Sequence, residues 1–187
     1  MKLMPFAVLT TSRKTSNRVR SFVRDLWSVL PDTERFNRGS MNSAELVARI
    51  QQSGAKMALL VTLWKGNPGT IQFISSTGSE LLTVKLESAA LRREVSSLKG
   101  LRIHSVYAVT IPKKISKQGR NLAGFIAALF NLETTESDAP VMASSQGSNK
   151  VEIRMEDVGG GKILWTHHHA INGEEIGPRI RVLGLRR

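Results

Sequence analysis

The chain has 187 residues of which 41% are hydrophobic, enough for one substantial domain or two small ones sharing a core, and too apolar for wholesale disorder. It has no cysteine, which excludes a disulfide framework, thiolate zinc sites and a cysteine nucleophile and fits a reducing compartment; no apolar run approaches the ~20 residues of a membrane span, so a cytoplasmic location without a membrane partner is expected. Its 27 Lys and Arg against 15 Asp and Glu give a formal charge of +12, a balance that favours polyanionic partners.

The apolar stretch Phe6-Ala7-Val8-Leu9 predicts a buried strand running into a polar loop, Thr10 to Ser16. Val19, Phe22, Val23, Leu26, Trp27 and Leu30 then recur at helical spacing, with Thr15 or Ser16 as the N-cap and Pro31 as the stop. Asn42 with Glu45 three residues later signals a capping box for a second helix, closed by Gly54. A meander follows: Ala58 to Trp64, a turn at Gly66-Asn67-Pro68-Gly69, Ile71 to Ser75, a turn at Thr77-Gly78-Ser79, and Leu81 to Leu86.

The second half repeats the theme. Val106 to Ile111 is a β-rich run entering a basic segment, Pro112 to Lys117, ahead of a further helix. Shifting the first helix by 103 positions superposes its apolar stripe on Leu122, Phe125, Ile126, Leu129 and Phe130, whereas the strands align at a shift of about 101, which implies a small insertion in the second loop. Residues 133–149 read as a mobile connection. Three strands are expected beyond it, Val151 to Met155, Ile163 to Ala170 and Ile180 to Leu185, with turns at Gly159-Gly160-Gly161 and Asn172-Gly173. The fold class is therefore α/β (α+β), one domain built from two similar strand–helix–sheet pseudo-repeats, approximately 1–87 and 100–187.

The positive charge is segregated. Residues 1–24, 95–132 and 176–187 hold 16 of the basic residues and none of the acidic ones, which points to nucleic acid. The first loop ends at a helix N-terminus whose free amides welcome an anion, while Arg18 and Arg20 oppose the helix dipole, a mismatch that a bound phosphate would remove. Arg13, Lys14, Arg18, Arg20 and Arg24 are the principal candidate RNA contacts; Lys113, Lys114, Lys117 and Arg120 occupy the equivalent place in the second half, and Arg179 and Arg181 share one face of the last strand.

Catalytic readings are weaker. Gly159-Gly160-Gly161-Lys162 lacks Walker-A spacing and the following Ser or Thr, and Glu174 and Glu175 project oppositely in a strand. His167 and His169 would share a strand face and could chelate a metal, but no third ligand is evident, so a strand face or an RNA-stacking surface is expected instead. No catalytic residue, metal or cofactor is assigned. Phe22, Trp27, Phe125 and Phe130 are expected in the core, and Trp64 and Trp165 are expected to pack rather than stack on bases.

Leu9-Thr10-Thr11-Ser12-Arg13-Lys14 with Arg18, Arg20, Phe22 and Leu26, and Glu175-Ile176-Gly177-Pro178-Arg179 followed by Leu183 and Leu185, resemble the Brix domain family of ribosome-biogenesis factors at both ends of the chain. The resemblance is to the compact stand-alone archaeal form. It implies two α/β halves related to the anticodon-binding domain of class IIa aminoacyl-tRNA synthetases. It also implies a non-enzymatic role in binding ribosomal RNA within the pre-ribosomal particle, with other assembly factors as further partners. The sequence departs from the family at Ser76-Thr77-Gly78-Ser79-Glu80, where many members carry a Gly-Pro-Thr-like segment. A metal-dependent RNA-processing enzyme using His167 and His169, and a structural ribosomal protein, are the alternatives.

Overall fold

A computed structural model describes residues 4–144 and 149–187. Strand β1 (Ala7–Thr11) feeds helix α1 (Asn17–Val29), which returns to a short strand β2 (Thr33–Arg35); helix α2 (Ser43–Ser53) then crosses to β3 (Met57–Trp64), and β4 (Asn67–Ser75) and β5 (Glu80–Ala90) follow as a meander. A single turn, α3 (Arg92–Val95), leads to β6 (Ser105–Ile111), α4 (Lys117–Leu129), β7 (Thr134–Glu136), β8 (Lys150–Val158), β9 (Lys162–His169) and β10 (Arg179–Arg186).

Among the described residues ten strands form one sheet, in the order β2-β1-β3-β4-β5-β10-β9-β8-β6-β7. The order is a palindrome: each strand of the first half has a counterpart at the mirror position, and the antiparallel pair β5–β10 joins the halves. Both outer trios are parallel, β2-β1-β3 and β7-β6-β8.

Strand alternation sends Ala7, Leu9, Leu59 and Val61 to one face, where α1 lays down Val19, Phe22, Val23 and Leu26 and α4 lays down Leu122, Ala123 and Ile126, all in one core. The halves interlock there, as Phe125 of α4 meets Phe73 of β4 edge-on at 4.9 Å and Phe6 meets Phe130 at 5.2 Å. On the other face Val8 and Ala58 meet Leu46 and Ile50 of α2 in a smaller cluster. Helix α2 has the anticipated capping box, with Asn42 Oδ1 accepting from Glu45 N–H at 2.9 Å and Glu45 Oε2 from Asn42 N–H at 2.7 Å; Gly54 closes it at a left-handed φ of 75°.

Several sequence expectations change. Helices α1 and α4 begin at caps Ser16 and Ser116, each accepting from the amide three residues on, so the halves superpose at an offset of 100 with no loop insertion. The offset of 103 slides one helix by nearly a turn, which keeps an apolar stripe almost in phase and so is hard to distinguish by pattern. The first hairpin turns at Lys65-Gly66, both at positive φ, and β4 starts at Asn67 rather than after Gly69. Pro68 is tolerated because β5 pairs with β4 only from Thr70 onward. Part of the supposed mobile connection is strand β7; residues 145–148 of that segment lie outside the described residues.

Candidate nucleic-acid interface

The carboxyl ends of β1, β2 and β3 lie side by side, and three basic segments leave from them. The loop after β1 carries Arg13 and Lys14, the segment from the end of β2 carries Arg35 and Arg38, and the tip of the β3–β4 hairpin carries Lys65 beside Trp64. Ser16 ties loop and hairpin together: its hydroxyl accepts from Val19 N–H and donates to the Gly66 carbonyl at 2.8 Å. Arg13, Lys14, Arg20 and Arg24 are exposed, and none forms an ion pair among the described residues; Arg20 donates to Asn17 Oδ1 at 2.7 Å.

Arg18 departs from the expected role. Its guanidinium grips Glu94 with two bonds, 2.7 and 2.9 Å, and also donates to the Ala89 carbonyl, so it fastens α1 to α3 rather than facing a ligand. The Arg18 hydrogen bonds, helped by the Leu91 amide, hold the Glu94 carboxyl down at about 2. Arg24, one turn beyond Arg20 on α1, borders a separate hollow with Asp25 and Arg92. There burial raises Asp25 and lowers Arg92, and two guanidinium nitrogens of Arg92 have no hydrogen-bond partner.

The equivalent end of the second half is basic in sequence but holds three carboxylates in space. Ser116 donates through both its N–H and its hydroxyl to Asp157, each at 2.6 Å, which places a carboxylate at the α4 N-terminus. Asp138 accepts from Lys113 N–H at 3.2 Å, and Arg120 pairs with Glu136 at 2.9 Å. Lys113, Lys114 and Lys117 remain exposed. On β10, Arg179 pairs with Glu175, and Arg181 pairs with Glu87, which also holds Lys162. Sequence pattern alone does not place these carboxylates, because Glu87 is far in the chain from Lys162 and Arg181, and Asp157 from Ser116.

The histidine run is structural. His167 is fully buried; its Nε2 accepts from the Trp165 indole N–H at 3.0 Å and its Nδ1–H donates to the Pro178 carbonyl at 2.7 Å. Both ring nitrogens are engaged, leaving neither for a metal, and His169 Nδ1 accepts from Ile171 N–H. No group of three or more metal-ligating side chains occurs among the described residues, nor is any helix among them long and apolar enough to cross a membrane. The C-terminal motif organises this region. Gly177, at φ 65°, packs so close to α3 that an added Cβ would lie 3.1 Å from Arg92 Cα. Of the two tryptophans expected to pack, Trp165 is fully buried, but Trp64 is 66% exposed at the hairpin tip, with Lys65 Nζ 5.5 Å from its ring.

The chain thus falls in the class of two-half α/β proteins that fuse paired parallel trios into one sheet and present basic loops at the trios' carboxyl edges. No protein-family model matches it. A "Probable Brix domain-containing ribosomal biogenesis protein" of Aeropyrum pernix is 36% identical over 90 residues, 46% of this chain and 50% of the relative, and one of Thermococcus kodakarensis is 27% identical over 113 residues, 58% and 54%. These alignments span about half the length of the curated relatives. In three dimensions the crystal structure of a probable ribosomal biogenesis protein from Aeropyrum pernix K1 matches over 95% of both chains, with TM-score 0.72 and 26% identity. Mil, an archaeal Imp4-like protein, shares the fold at TM-score 0.64 and 22% identity, over 96% of this chain and 98% of that one. In sequence and in fold the chain is thus similar to archaeal proteins described as Brix domain-containing or probable ribosomal biogenesis proteins.

Proposed function

We propose that this protein serves ribosome biogenesis by binding ribosomal RNA within a pre-ribosomal particle, alongside other assembly factors and without catalysing a reaction. The observation that carries the reading is the uncompensated charge of one edge: among the described residues Arg13, Lys14 and Arg20 form no ion pair, whereas in the second half Arg120 pairs with Glu136, and Asp138 and Asp157 accept from the Lys113 backbone and from Ser116. The likeness to ribosomal biogenesis proteins supports the biological setting. In this reading residues 1–87 and 100–187 act as two pseudo-repeats, akin to paired anticodon-binding domains, with the first as the principal RNA surface. Lys113, Lys114 and Lys117 add a weaker second surface. Arg18, Arg120, Arg179 and Arg181 serve mainly to hold elements together through their carboxylate partners. Exposed Trp64 offers a ring on which an unstacked base can lie beside the phosphate contacts.

The test is binding of ribosomal RNA fragments across a salt series, comparing the native protein with Arg13→Ala/Lys14→Ala/Arg20→Ala. Each lost phosphate contact flattens the log–log slope by about 0.7–0.9. Unchanged affinity and slope would remove the first loop as the RNA surface. Metal-dependent cleavage of the RNA would favour a processing enzyme, and persistence in mature subunits a structural ribosomal protein.

A further inference from the structure

Strand β1 leaves toward α1 on one face of the sheet, and its neighbour β2 leaves toward α2 on the other. Where adjacent parallel strands send their connections to opposite faces, the loops part and a crevice opens outside the carboxyl ends; open α/β sheets seat ligands there. The crevice in this protein has a volume of about 480 Å³. Arg13, Thr15, Arg20, Arg35 and Arg38 line it, together with neutral residues and no carboxylate.

Arg38 is what makes the crevice a built site. It is only 8% exposed, and its Nε–H donates to the Met41 carbonyl at 2.6 Å, but its Nη1 has no hydrogen-bond partner. The buried hydroxyl of Thr15 also lacks a partner. Burial, and then repulsion from Arg13, push the Arg38 guanidinium below its ordinary value against the weaker pull of Glu45. A buried cation with an unpartnered N–H and no ion pair is costly, and three further arginines around the same hollow add to that cost; one anion relieves both. The matching end of β6 and β7 has its own anions in Glu136, Asp138 and Asp157, whereas no carboxylate lines the first crevice.

We propose that this crevice is a phosphate pocket in which Arg35 and Arg38, with Arg13 and Arg20, grip a single phosphate group of a polynucleotide. The proposal rests on the RNA-binding reading and narrows it from a diffuse surface to one seat, adding two arginines from the segment after α1. Arg35 is exposed and lies outside the first loop, so Arg35→Gln probes the pocket without touching that loop. Arg38→Lys keeps the charge but loses the planar fork.

The experiment measures binding of a short oligoribonucleotide with a 5′-hydroxyl or a 5′-phosphate across a salt series, with near-UV circular dichroism to verify the fold of each variant. A parallel titration with inorganic phosphate follows the arginine side-chain N–H resonances. Each pocket variant should bind at least one oligonucleotide about tenfold more weakly, and Arg35→Gln should lower the slope by about 0.7. Equal native binding of the two oligonucleotides identifies a backbone phosphate. A native preference for the 5′-phosphate, with inorganic phosphate shifting the Arg38 resonance, identifies a terminal one; both support the pocket. If folded Arg35→Gln and Arg38→Lys keep native affinity and slope while Arg13→Ala/Lys14→Ala weakens binding, the pocket is refuted and the surface reading stands. If the native protein binds neither RNA nor the larger ribosomal fragments, the surface reading fails and the pocket with it.

Discussion

His167 should make stability depend on pH in a way that one substitution removes. Burial pushes its imidazole down to about 4 from 6.5, with the Pro178 carbonyl opposing and His168 adding to the effect. Protonation would place a second N–H at Nε2, facing the Trp165 indole N–H that now donates to it. Because the folded value lies below the unfolded one, the unfolded chain takes up this proton first as the pH falls. The contribution of neutral His167 is therefore complete above about pH 6.5 and is lost as the pH drops toward about 4. At ~1.4 kcal/mol for each tenfold in proton affinity, the loss reaches roughly 3 kcal/mol, a large part of the ~5–15 kcal/mol that holds a domain together. The assay is urea unfolding at a series of pH values for the native protein and His167→Gln. The variant should be less stable near neutrality by about 1–3 kcal/mol, since Trp165 and Pro178 lose part of their hydrogen bonding. It should also lose less as the pH falls, so the gap narrows. A gap that stays constant from neutrality to about pH 4, or an imidazole midpoint near 6.5 by NMR, would refute the reasoning.

Trp64→Ala should leave stability within about 0.5 kcal/mol by thermal unfolding, since the ring is mostly exposed, but weaken single-stranded RNA binding by roughly 1–3 kcal/mol in a fluorescence titration. Lys113→Ala/Lys114→Ala/Lys117→Ala should reduce the salt slope of RNA binding less than Arg13→Ala/Lys14→Ala/Arg20→Ala, because carboxylates already occupy the second edge; an equal or larger effect would contradict the assigned asymmetry. Gly177→Ala should destabilise the protein by about 1–3 kcal/mol in denaturant unfolding, through the positive φ and the approach to Arg92 Cα.

The elements readable in the sequence were those with a local physical signature. The apolar stripe of α1 and the reciprocal caps of α2 give their helices away because neighbours three and four residues apart supply the contacts. Strands β2 and β7 left no such mark. Each has three residues, Thr33-Glu34-Arg35 and Thr134-Thr135-Glu136, polar because they form the outer edges of the sheet, where charge discourages pairing with another chain. The basic loops were visible as charge runs, but their compensation was not. Whether a cation stays uncompensated depends on where remote carboxylates land, as Glu94 does on Arg18 and Glu87 on Arg181. Arg35 and Arg38 carry no such mark for a similar reason: they stand in a segment with acidic neighbours, and the return of β2 alongside β1 brings them to Arg13.

The same topology explains why two matched halves need not yield two matched sites. In the first half α2 packs Leu46 and Ile50 onto the face opposite α1, so the connections after β1 and β2 part around a crevice. In the second half, no helix occurs among the described residues between β7 and β8, and the corresponding sheet face is polar. Glu152 is fully buried there, accepting from Thr110 at 2.7 Å and pairing with Arg154 at 3.1 Å. A face built from internally satisfied polar groups gives an apolar helix nothing to bury against, so α2 has no counterpart to part the connections around. The carboxylates Glu136, Asp138 and Asp157 then close the second edge electrostatically. Under the proposed RNA-binding reading, a strand would meet one edge with unmet positive charge and one where carboxylates stand among the cations, a difference that would orient it on the sheet before any base is read.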